Sequence, residues 1–371
     1  MSDNSPTDAP RGFPITLPTD ESSREILIKN LKHWATTTMD TFEGVLFEFQ
    51  PSSRWRQIGY PLDPSTRTPK IVDTSPGTLP WTPWDYCAKG CTHFPPRSQR
   101  ARPTVFDEDK TLVITLTEAL QTGVGSASQV YKGRVHLTSI DVVVKLYQMS
   151  RVGDEKVLYG LLVSAARNGR NWCNVLQSFR TECSAYEHMK DIQGSHIPYV
   201  HGFFQITLPH DEPCIAVVME YIPGPTLREY AAVNPNPSAD ILDAVGGSLA
   251  NVTHAVSMKG ISVIDCNADN FVITSNLEVV HLDFGWFIPV SKIHRFEKLE
   301  TLVSILKAAG FDKTAVNQWI VRRLTDPNTT YIAAFDVPMS ESARIWKRLG
   351  VRVAPVGGIE GERAKTPVPS K

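Results

Sequence analysis

The sequence has no apolar run of about eighteen residues or more, so it does not predict a transmembrane helix. It also has no excess of charge of either sign. Lys and Arg number 38, and Asp and Glu number 39, which gives a formal net charge of −1. A nucleic acid or an anionic membrane surface is therefore not expected as the main partner.

Cysteine is scarce, with six residues in 371. Cys87 and Cys91 lie close together and His93 follows them, but a structural zinc site needs a fourth ligand, and none lies nearby. The cysteines are therefore interpreted as free thiols of a reducing compartment. The N-terminus is polar and lacks the basic and apolar segments of a signal peptide, so an intracellular location, cytoplasmic or nuclear, is expected.

Composition and periodicity divide the chain into five segments. Residues 1–20 and 351–371 are polar and rich in Pro, which predicts disordered tails. Residues 21–110 begin with helical spacing and continue with many prolines and aromatics, and they are interpreted as an N-terminal extension. Strand-like runs dominate residues 111–222, whereas residues 223–350 are mostly helical in pattern. The fold class predicted is α+β, with a small β-rich lobe joined to a helical lobe.

Several individual elements follow from the hydrophobic pattern. Runs beginning at 112, 130 and 141 alternate like strands, and a buried strand is predicted at 216–222. Residues 239–258 predict a strongly amphipathic helix. Helical sequence is also expected from about 153 to 190, at 295–325 and at 341–349, and a small hairpin is expected at residues 271–285.

A glycine-containing turn separates the first two predicted strands. Gly123 and Gly125 begin a segment that matches G-x-G-x-x-G-x-V through Val130, except that Ser128 stands at the third glycine position. Glycines in such a turn let backbone amides approach phosphate oxygens. A dinucleotide-binding fingerprint would need a helix after the turn, but a strand is expected here. The alternative is an ordinary hairpin turn.

A single lysine lies inside the apolar strand VVVKLY. Lys145 comes fifteen residues after Val130, and burying its charge is costly unless the charge is paired. One interpretation is an ammonium that holds phosphates and pairs with a helical carboxylate. Glu182, in the helical segment 179–189, is the preferred partner and Glu187 the second choice. The alternative is a strand-edge lysine that points to solvent.

Two acidic motifs follow in the second half of the chain. Asp265 and Asn270 form D-x-x-x-x-N, and Asp283 begins the triplet D-F-G eighteen residues beyond Asp265. Asn270 and Asp283 can supply oxygen ligands to Mg²⁺, and Asp265 can orient the hydroxyl of an acceptor. The predicted hairpin lies between the two motifs. The two motifs occur in this order after a predicted amphipathic helix, and this arrangement indicates phosphoryl transfer.

Residues 111–285 resemble a eukaryotic-type protein kinase, in the divergent style of the fungal small-kinase families. The positions that carry the resemblance are the Gly-rich turn Gly123–Val130, Lys145, Glu182, a hinge at Met219–Gly224, the loop Val263–Asn270 and the triplet Asp283–Gly285. The resemblance implies a bilobal fold with a shortened, mostly helical C-lobe.

The resemblance also implies ligands and residue roles. ATP and Mg²⁺ would be the cofactors, with Asn270 and Asp283 as metal ligands. Adenine would bond to the backbone of Glu220 and Ile222. Gly123, Gly125, Ser128, Val130 and Lys145 would line the phosphates, and the catalytic group would comprise Asp265, Lys145 and Glu182.

Three departures from the family pattern affect the expected activity. Val263 and Ile264 replace the His and Arg that usually precede the catalytic Asp, so activation through a phosphorylated loop is not expected. Glu182 follows Lys145 by 37 residues, which indicates an insertion. No A-P-E motif follows Gly285, so the platform for a peptide substrate is shortened or absent.

The sequence therefore favours an ATP- and Mg²⁺-dependent phosphotransferase, with a protein Ser/Thr hydroxyl as the acceptor preferred by family analogy. A pseudokinase that acts as a binding scaffold is one alternative. A small-molecule kinase of the aminoglycoside or choline phosphotransferase type is another, because those enzymes share D-x-x-x-x-N and a later Asp. An ordered acceptor pocket within residues 286–350 would favour the small-molecule enzyme.

Overall fold

The computed structural model describes residues 20–38, 41–51, 70–72, 99–103, 106, 111–122, 128–151, 174–263, 267–285, 287–289 and 292–325. The predicted disordered tails lie outside these residues, apart from Asp20, and so does the helix predicted at 341–349.

The described ranges contain six α-helices and twelve β-strands. The helices are α1 (Glu21–Thr37), α2 (Asn174–His188), α3 (Leu227–Val233), α4 (Ala239–Met258), α5 (Arg295–Ala309) and α6 (Lys313–Thr325). The strands are β1 (Leu46–Pro51), β2 (Lys70–Val72), β3 (Leu112–Gln121), β4 (Gln129–Val135), β5 (Asp141–Tyr147), β6 (Val200–Thr207), β7 (Pro213–Glu220), β8 (Ile261–Val263), β9 (Phe271–Ile273), β10 (Val279–His281), β11 (Phe287–Pro289) and β12 (Lys292–His294). The predicted α+β class is confirmed. Of the helices in these ranges, none combines the length and apolar character needed to span a bilayer.

Six strands close into a barrel in the order β1-β3-β4-β5-β7-β6, and each is antiparallel to its neighbours. The alternation of β5 gives it two different faces. Val142, Val144 and Leu146 are buried inside the barrel. Tyr147 lies on the outer face, where it packs with α1 and α2, and by alternation Lys145 shares that face.

Two barrel strands were not anticipated from the sequence. β1 comes from the segment interpreted as an extension, yet Phe47 and Phe49 are buried in the barrel interior. It pairs with β3 on one side and with β6 on the other, and so closes the sheet. β6 itself lies between the predicted helical region and the predicted strand at 216–222. The extension is thus part of the barrel.

The helical part of the chain is built around α4, whose bounds match the predicted 239–258. Ser238 caps it, since the side chain of Ser238 accepts a hydrogen bond from the Ile241 amide at 3.4 Å. Its buried face packs against α5 and α6, which confirm the helical region predicted at 295–325. This shared core includes Leu242, Val245, Leu249, Val252, Leu302, Leu306, Trp319 and Ile320.

Three two-stranded sheets complete the described fold. β9 and β10 form the predicted hairpin, with Phe271 opposite His281. β8 pairs antiparallel with β11, and β2 pairs in parallel with β12. These short sheets hold the chain on both sides of Asp283.

Candidate functional site

Lys145 lies in the middle of the barrel sheet and is not at an edge. It is opposite Val130 of β4 and Val217 of β7, and only 5% of its surface is exposed. Its Nζ atom lies 2.9 Å from Glu182 Oε2 and 2.9 Å from Asp283 Oδ1. The predicted pairing of Lys145 with Glu182 is confirmed, and the ammonium bridges two carboxylates from distant parts of the chain.

Helix α2 brings Glu182 to this position because its neighbours on the same helix face are anchored at two places. Phe179 packs edge-on against Tyr147, with ring centroids 5.5 Å apart. Tyr186 packs edge-on against Phe284 at 5.2 Å, and its hydroxyl donates to the Leu282 carbonyl at 2.5 Å. The helix is thereby fixed to β5 and to the segment that carries Asp283.

The electrostatics of the three charged groups follow from their burial and their contacts. Burial alone would lower the pKa of Lys145, but the carboxylates of Asp283 and Glu182 outweigh it and raise the pKa. Burial raises the pKa of Glu182 to about 7 despite the nearby ammonium. Asp283 has a lowered pKa, because Lys145 and the Gly285 amide outweigh its burial. Asp283 is therefore the permanent anion of the site, and Glu182 titrates near neutral pH.

Tyr147 belongs to this cluster although the sequence analysis did not select it. Its hydroxyl donates a hydrogen bond to Glu182 Oε2. The Lys145 ammonium also lies 5.5 Å from the centre of its ring. Tyr147 comes two residues after Lys145 on a strand, so the strand period by itself could have placed both side chains on one face.

The hairpin β9–β10 places Asn270 beside Asp283. The Leu282 amide donates to the Asn270 carbonyl at 2.8 Å, so the residues that flank the hairpin lie side by side. Asp283 Oδ1 accepts from the Gly285 amide at 2.8 Å, and 35% of the Asp283 side chain is exposed. Its Oδ2 has no hydrogen-bond partner among the described residues. One carboxylate oxygen is therefore held in place and the other is available to a ligand.

The predicted phosphate-binding turn is described only at its ends. Gly123 and Gly125 lie outside the described residues. The flanking strands β3 and β4 pair antiparallel, which confirms that a strand follows the turn. Ser128 is buried with 8% of its surface exposed, and Val130 lies opposite Lys145. The strand that follows the turn thus passes beside Lys145.

Asp265 also lies outside the described residues, between Val263 and Asn267. The residues that flank it are held in place from two sides. Val263 pairs with Phe287 of β11, just beyond the D-F-G triplet. Asn267 accepts a hydrogen bond at 2.8 Å from Arg228 of α3.

Arg228 is a loop anchor that the sequence analysis missed. Its Nε lies 2.9 Å from both carboxylate oxygens of Asp269, and its Nη1 donates to the Ala308 carbonyl at 2.8 Å. The guanidinium therefore joins the loop before Asn270 to the end of α5.

The two hinge positions differ in their surroundings. Glu220 ends β7, and its amide donates to the Tyr199 carbonyl at 2.8 Å. Ile222 is buried and packs with Val272 and Val280 in a small apolar cluster. The hinge and the hairpin β9–β10 thus share one small buried apolar cluster.

His281 is buried two residues before Asp283. Its ring stacks on Phe271, with centroids 4.3 Å apart, and lies 4.4 Å from the ring of Phe284. Within the described ranges neither ring nitrogen has a hydrogen-bond partner. Burial lowers the pKa of His281 to about 3, so the imidazole is neutral and serves packing.

In the part of the chain that the structure describes, no three His, Cys, Asp or Glu side chains are grouped to hold a metal ion. Asn270 and Asp283 nevertheless present an amide and a carboxylate, and oxygen atoms are the ligands that Mg²⁺ prefers. Comparison with protein-family models and with curated proteins finds no match for this chain.

Proposed function

We propose that this chain is an ATP- and Mg²⁺-dependent phosphotransferase with a bilobal, protein-kinase-like fold. The barrel would form the small lobe, and the helices around α4 would form the shortened C-lobe. The observation that carries the proposal is the buried ammonium of Lys145, held 2.9 Å from both Glu182 and Asp283. A purely structural core has no need of two carboxylates and a lysine at this cost in desolvation.

Phosphate binding is the role that best uses this arrangement. Glu182, with the Tyr147 hydroxyl behind it, fixes Lys145 from the α2 side. The Lys145 ammonium can then contact phosphate oxygens while it stays paired with Glu182. Its contact with the phosphates is largely electrostatic. The β3–β4 turn would cover the same phosphates with its backbone amides.

Asp283 and Asn270 would hold Mg²⁺. The free Oδ2 of Asp283 and its lowered pKa fit a metal ligand, because an ionised, partly exposed carboxylate is available at neutral pH. Bound Mg²⁺ would supply positive charge against the phosphates. Asn270 adds a second oxygen from the other end of the hairpin.

The base of the nucleotide would lie on the apolar cluster of Ile222, Val272 and Val280. The hinge backbone at Glu220 and Ile222 would provide its hydrogen bonds, as the family resemblance implies. A flat aromatic base is suited to apolar surroundings, where apolar contact supplies affinity and a few backbone groups supply orientation.

Asp265 would orient the hydroxyl of the acceptor. A protein Ser/Thr side chain is the acceptor that the resemblance implies. One observation favours a small-molecule acceptor instead: β2 of the same chain pairs with one edge of β12, just beyond the D-F-G triplet. A peptide substrate that bound by strand addition would need a free strand edge, and β2 already occupies this one.

Calorimetry with Mg²⁺–ATP tests the nucleotide site directly. The wild-type chain is expected to bind Mg²⁺–ATP, and Asp283→Ala is expected to weaken that binding by about tenfold or more. Asp141→Asn removes a partly exposed carboxylate on the barrel and serves as the matched control. Absence of binding by the wild type would refute the proposal.

Turnover measurements separate an enzyme from a nucleotide-binding scaffold. Asp265→Ala is expected to retain Mg²⁺–ATP binding and to lose phosphoryl transfer, including slow hydrolysis of ATP. A wild-type chain that binds ATP but shows no transfer to protein, small-molecule or water acceptors would identify the scaffold alternative.

A further inference from the structure

A short segment of the N-terminal extension docks on the hinge through one arginine. Arg100 Nε lies 2.6 Å from Glu220 Oε1, and Arg100 Nη2 lies 3.0 Å from Glu220 Oε2. This is a two-pronged contact, the geometry in which a guanidinium binds a carboxylate most specifically. The pair joins residues 120 positions apart in the chain, and both side chains are largely shielded from solvent.

The same arginine binds the loop that precedes β6. Its amide donates to the Gly194 carbonyl at 2.8 Å, and its guanidinium donates to the carbonyls of Ser195 and Ile197, both at 3.3 Å. Gly194 has a φ of 75°, in the left-handed region that glycine favours. Arg100 therefore joins the hinge to the backbone of the loop at residues 194–197.

That loop reaches both sides of the candidate nucleotide site. Tyr199 and Glu220 are joined twice, by the Glu220 amide to the Tyr199 carbonyl at 2.8 Å and by the Tyr199 amide to Glu220 Oε2 at 3.1 Å. The His196 carbonyl accepts from the His281 amide at 3.1 Å, two residues before Asp283. The loop thus connects the end of β7 to β10, which ends two residues before the candidate metal ligand Asp283.

The number and direction of these contacts distinguish the Arg100–Glu220 pair from an exposed surface ion pair, which contributes little to stability. Both oxygens of Glu220 are engaged, one of them by the arginine and by a backbone amide together. Without the guanidinium, a shielded carboxylate would lose its cation and the end of β7 would have to move toward water. Glu220 itself belongs to the hinge segment Met219–Gly224.

We propose that Arg100 is a positioning residue for the base of the bound nucleotide. It holds the hinge backbone at Glu220–Ile222 in the position that adenine needs, and it leaves the phosphate-binding side chains untouched. The inference rests on the proposed function, because it concerns the same nucleotide site.

Three probes separate base binding from phosphate binding: Mg²⁺–ATP, adenosine, and Mg²⁺–tripolyphosphate, which has no base. Calorimetry of Arg100→Ala is expected to show affinities for ATP and adenosine that are about tenfold weaker, with the affinity for tripolyphosphate unchanged. Arg100→Lys keeps the charge without the planar fork and is expected to recover part of the loss. Arg134→Ala, which removes an exposed pair with Asp141 at 2.9 Å, is the control.

Each outcome decides between the possibilities. Equal weakening for all three probes would mean that Arg100 only supports the fold, and no weakening for any probe would mean that the hinge does not need it. Either result overturns the inference and leaves the phosphotransferase proposal standing. If the wild type binds neither ATP nor tripolyphosphate, the proposed function fails, and the role of Arg100 fails with it. If Arg100→Ala does not fold, Glu220→Gln must show the base-specific loss, and Arg100→Lys must show a smaller loss of the same kind.

Discussion

At the scale of single residues, the buried Lys145 depends on its two partners. Glu182 is fully buried and Lys145 nearly so, and the opposite charges 2.9 Å apart offset the cost of burying them. Asp283 adds a second negative charge, which the single ammonium neutralises only in part. With both carboxylates ionised, the cluster therefore carries a net negative charge, which a bound cation can neutralise.

Removing the ammonium should destabilise the fold in a pH-dependent manner. Lys145→Met is expected to cost roughly 3–5 kcal/mol in the free energy of unfolding at pH 8, because it leaves two carboxylates without a counterion. The cost should be smaller at pH 5.5, where Glu182 can take up a proton. Urea denaturation at the two pH values measures the difference.

A double variant provides the control for this prediction. Lys145→Met with Glu182→Leu removes the fully buried one of the two uncompensated carboxylates and should recover part of the lost stability. A single Lys145→Met variant as stable as the wild type at both pH values would contradict the buried pair.

Two buried histidines should make the fold sensitive to acid. Burial lowers the pKa of His281 and of His201 to about 3, from an ordinary value of 6.5. The folded state keeps both rings neutral, whereas the unfolded chain binds protons below pH 6.5. The two histidines should therefore not reduce the free energy of unfolding above pH 6.5. As the pH falls from 6.5 toward 3, that free energy should decrease by about 1.4 kcal/mol per pH unit for each histidine.

The contribution of each histidine is measured by comparing variants with the wild type. Glu182, whose folded pKa of about 7 lies above its ordinary 4.5, acts in the opposite direction between those two values. His281→Phe and His201→Phe should each reduce proton uptake on unfolding by about one, measured from urea denaturation between pH 4 and pH 7. The exposed His136→Gln is the control. An unchanged slope in both Phe variants would show that these rings are not buried neutral.

At the scale of elements, the packing of α4 against α6 depends on a small residue in the middle of a helix. A Cβ atom at Gly246 would lie 2.5 Å from Cζ2 of Trp319. Glycine weakens a helix interior by about 1 kcal/mol relative to alanine, so its presence there indicates that close packing matters more than helix propensity. The indole fills the space that a side chain would otherwise take.

Gly246→Ala should therefore destabilise the protein although it favours the helix. We expect a loss of about 1–3 kcal/mol from overpacking, measured by urea denaturation. Trp319→Phe in the Gly246→Ala background should restore part of it, because the smaller ring makes room. Trp319 Nε1 has no hydrogen-bond partner among the described residues, so the change removes no such bond. A Gly246→Ala variant more stable than the wild type would refute the packing argument.

At the scale of the whole molecule, the N-terminal extension completes the barrel. β1 covers the edges of both β3 and β6, and α1 adds Leu31 and Trp34 to the core between α2 and the sheet. A sheet opened at this point would expose two strand edges and a set of buried aromatics, a combination that favours aggregation.

Truncation distinguishes an integral extension from an appended one. A chain that begins at residue 99 is expected to lose cooperative thermal unfolding and to aggregate, since it lacks α1 and β1. A chain that begins at Asp20 keeps the helix cap and should melt like the full chain. Circular dichroism and light scattering provide the measurement. A cooperative transition in the shorter chain would show that residues 111–325 fold without the extension.

Much of the local structure could be predicted from the sequence because periodicity is a property of neighbouring residues. The alternation of β3, β4 and β5 and the stripe of α4 are visible in short windows. Lys145 and Glu182 could be selected because a buried lysine needs a carboxylate partner, and Asp283 could be selected from the D-F-G triplet. The catalytic and ligand roles of these residues remain proposals.

Only the tertiary structure decided which distant residues meet. β1 and β6 are short runs whose place in a closed sheet depends on partners far along the chain, and no local pattern specifies those partners. Arg100 and Arg228 look like ordinary surface arginines in the sequence, and each acquires a role only where folding brings carbonyls and a carboxylate around its guanidinium. Side-chain type and spacing thus determined the chemistry available to this protein. Packing determined which of those groups converge, because the free energy of a buried charge depends on all the neighbours that replace its water.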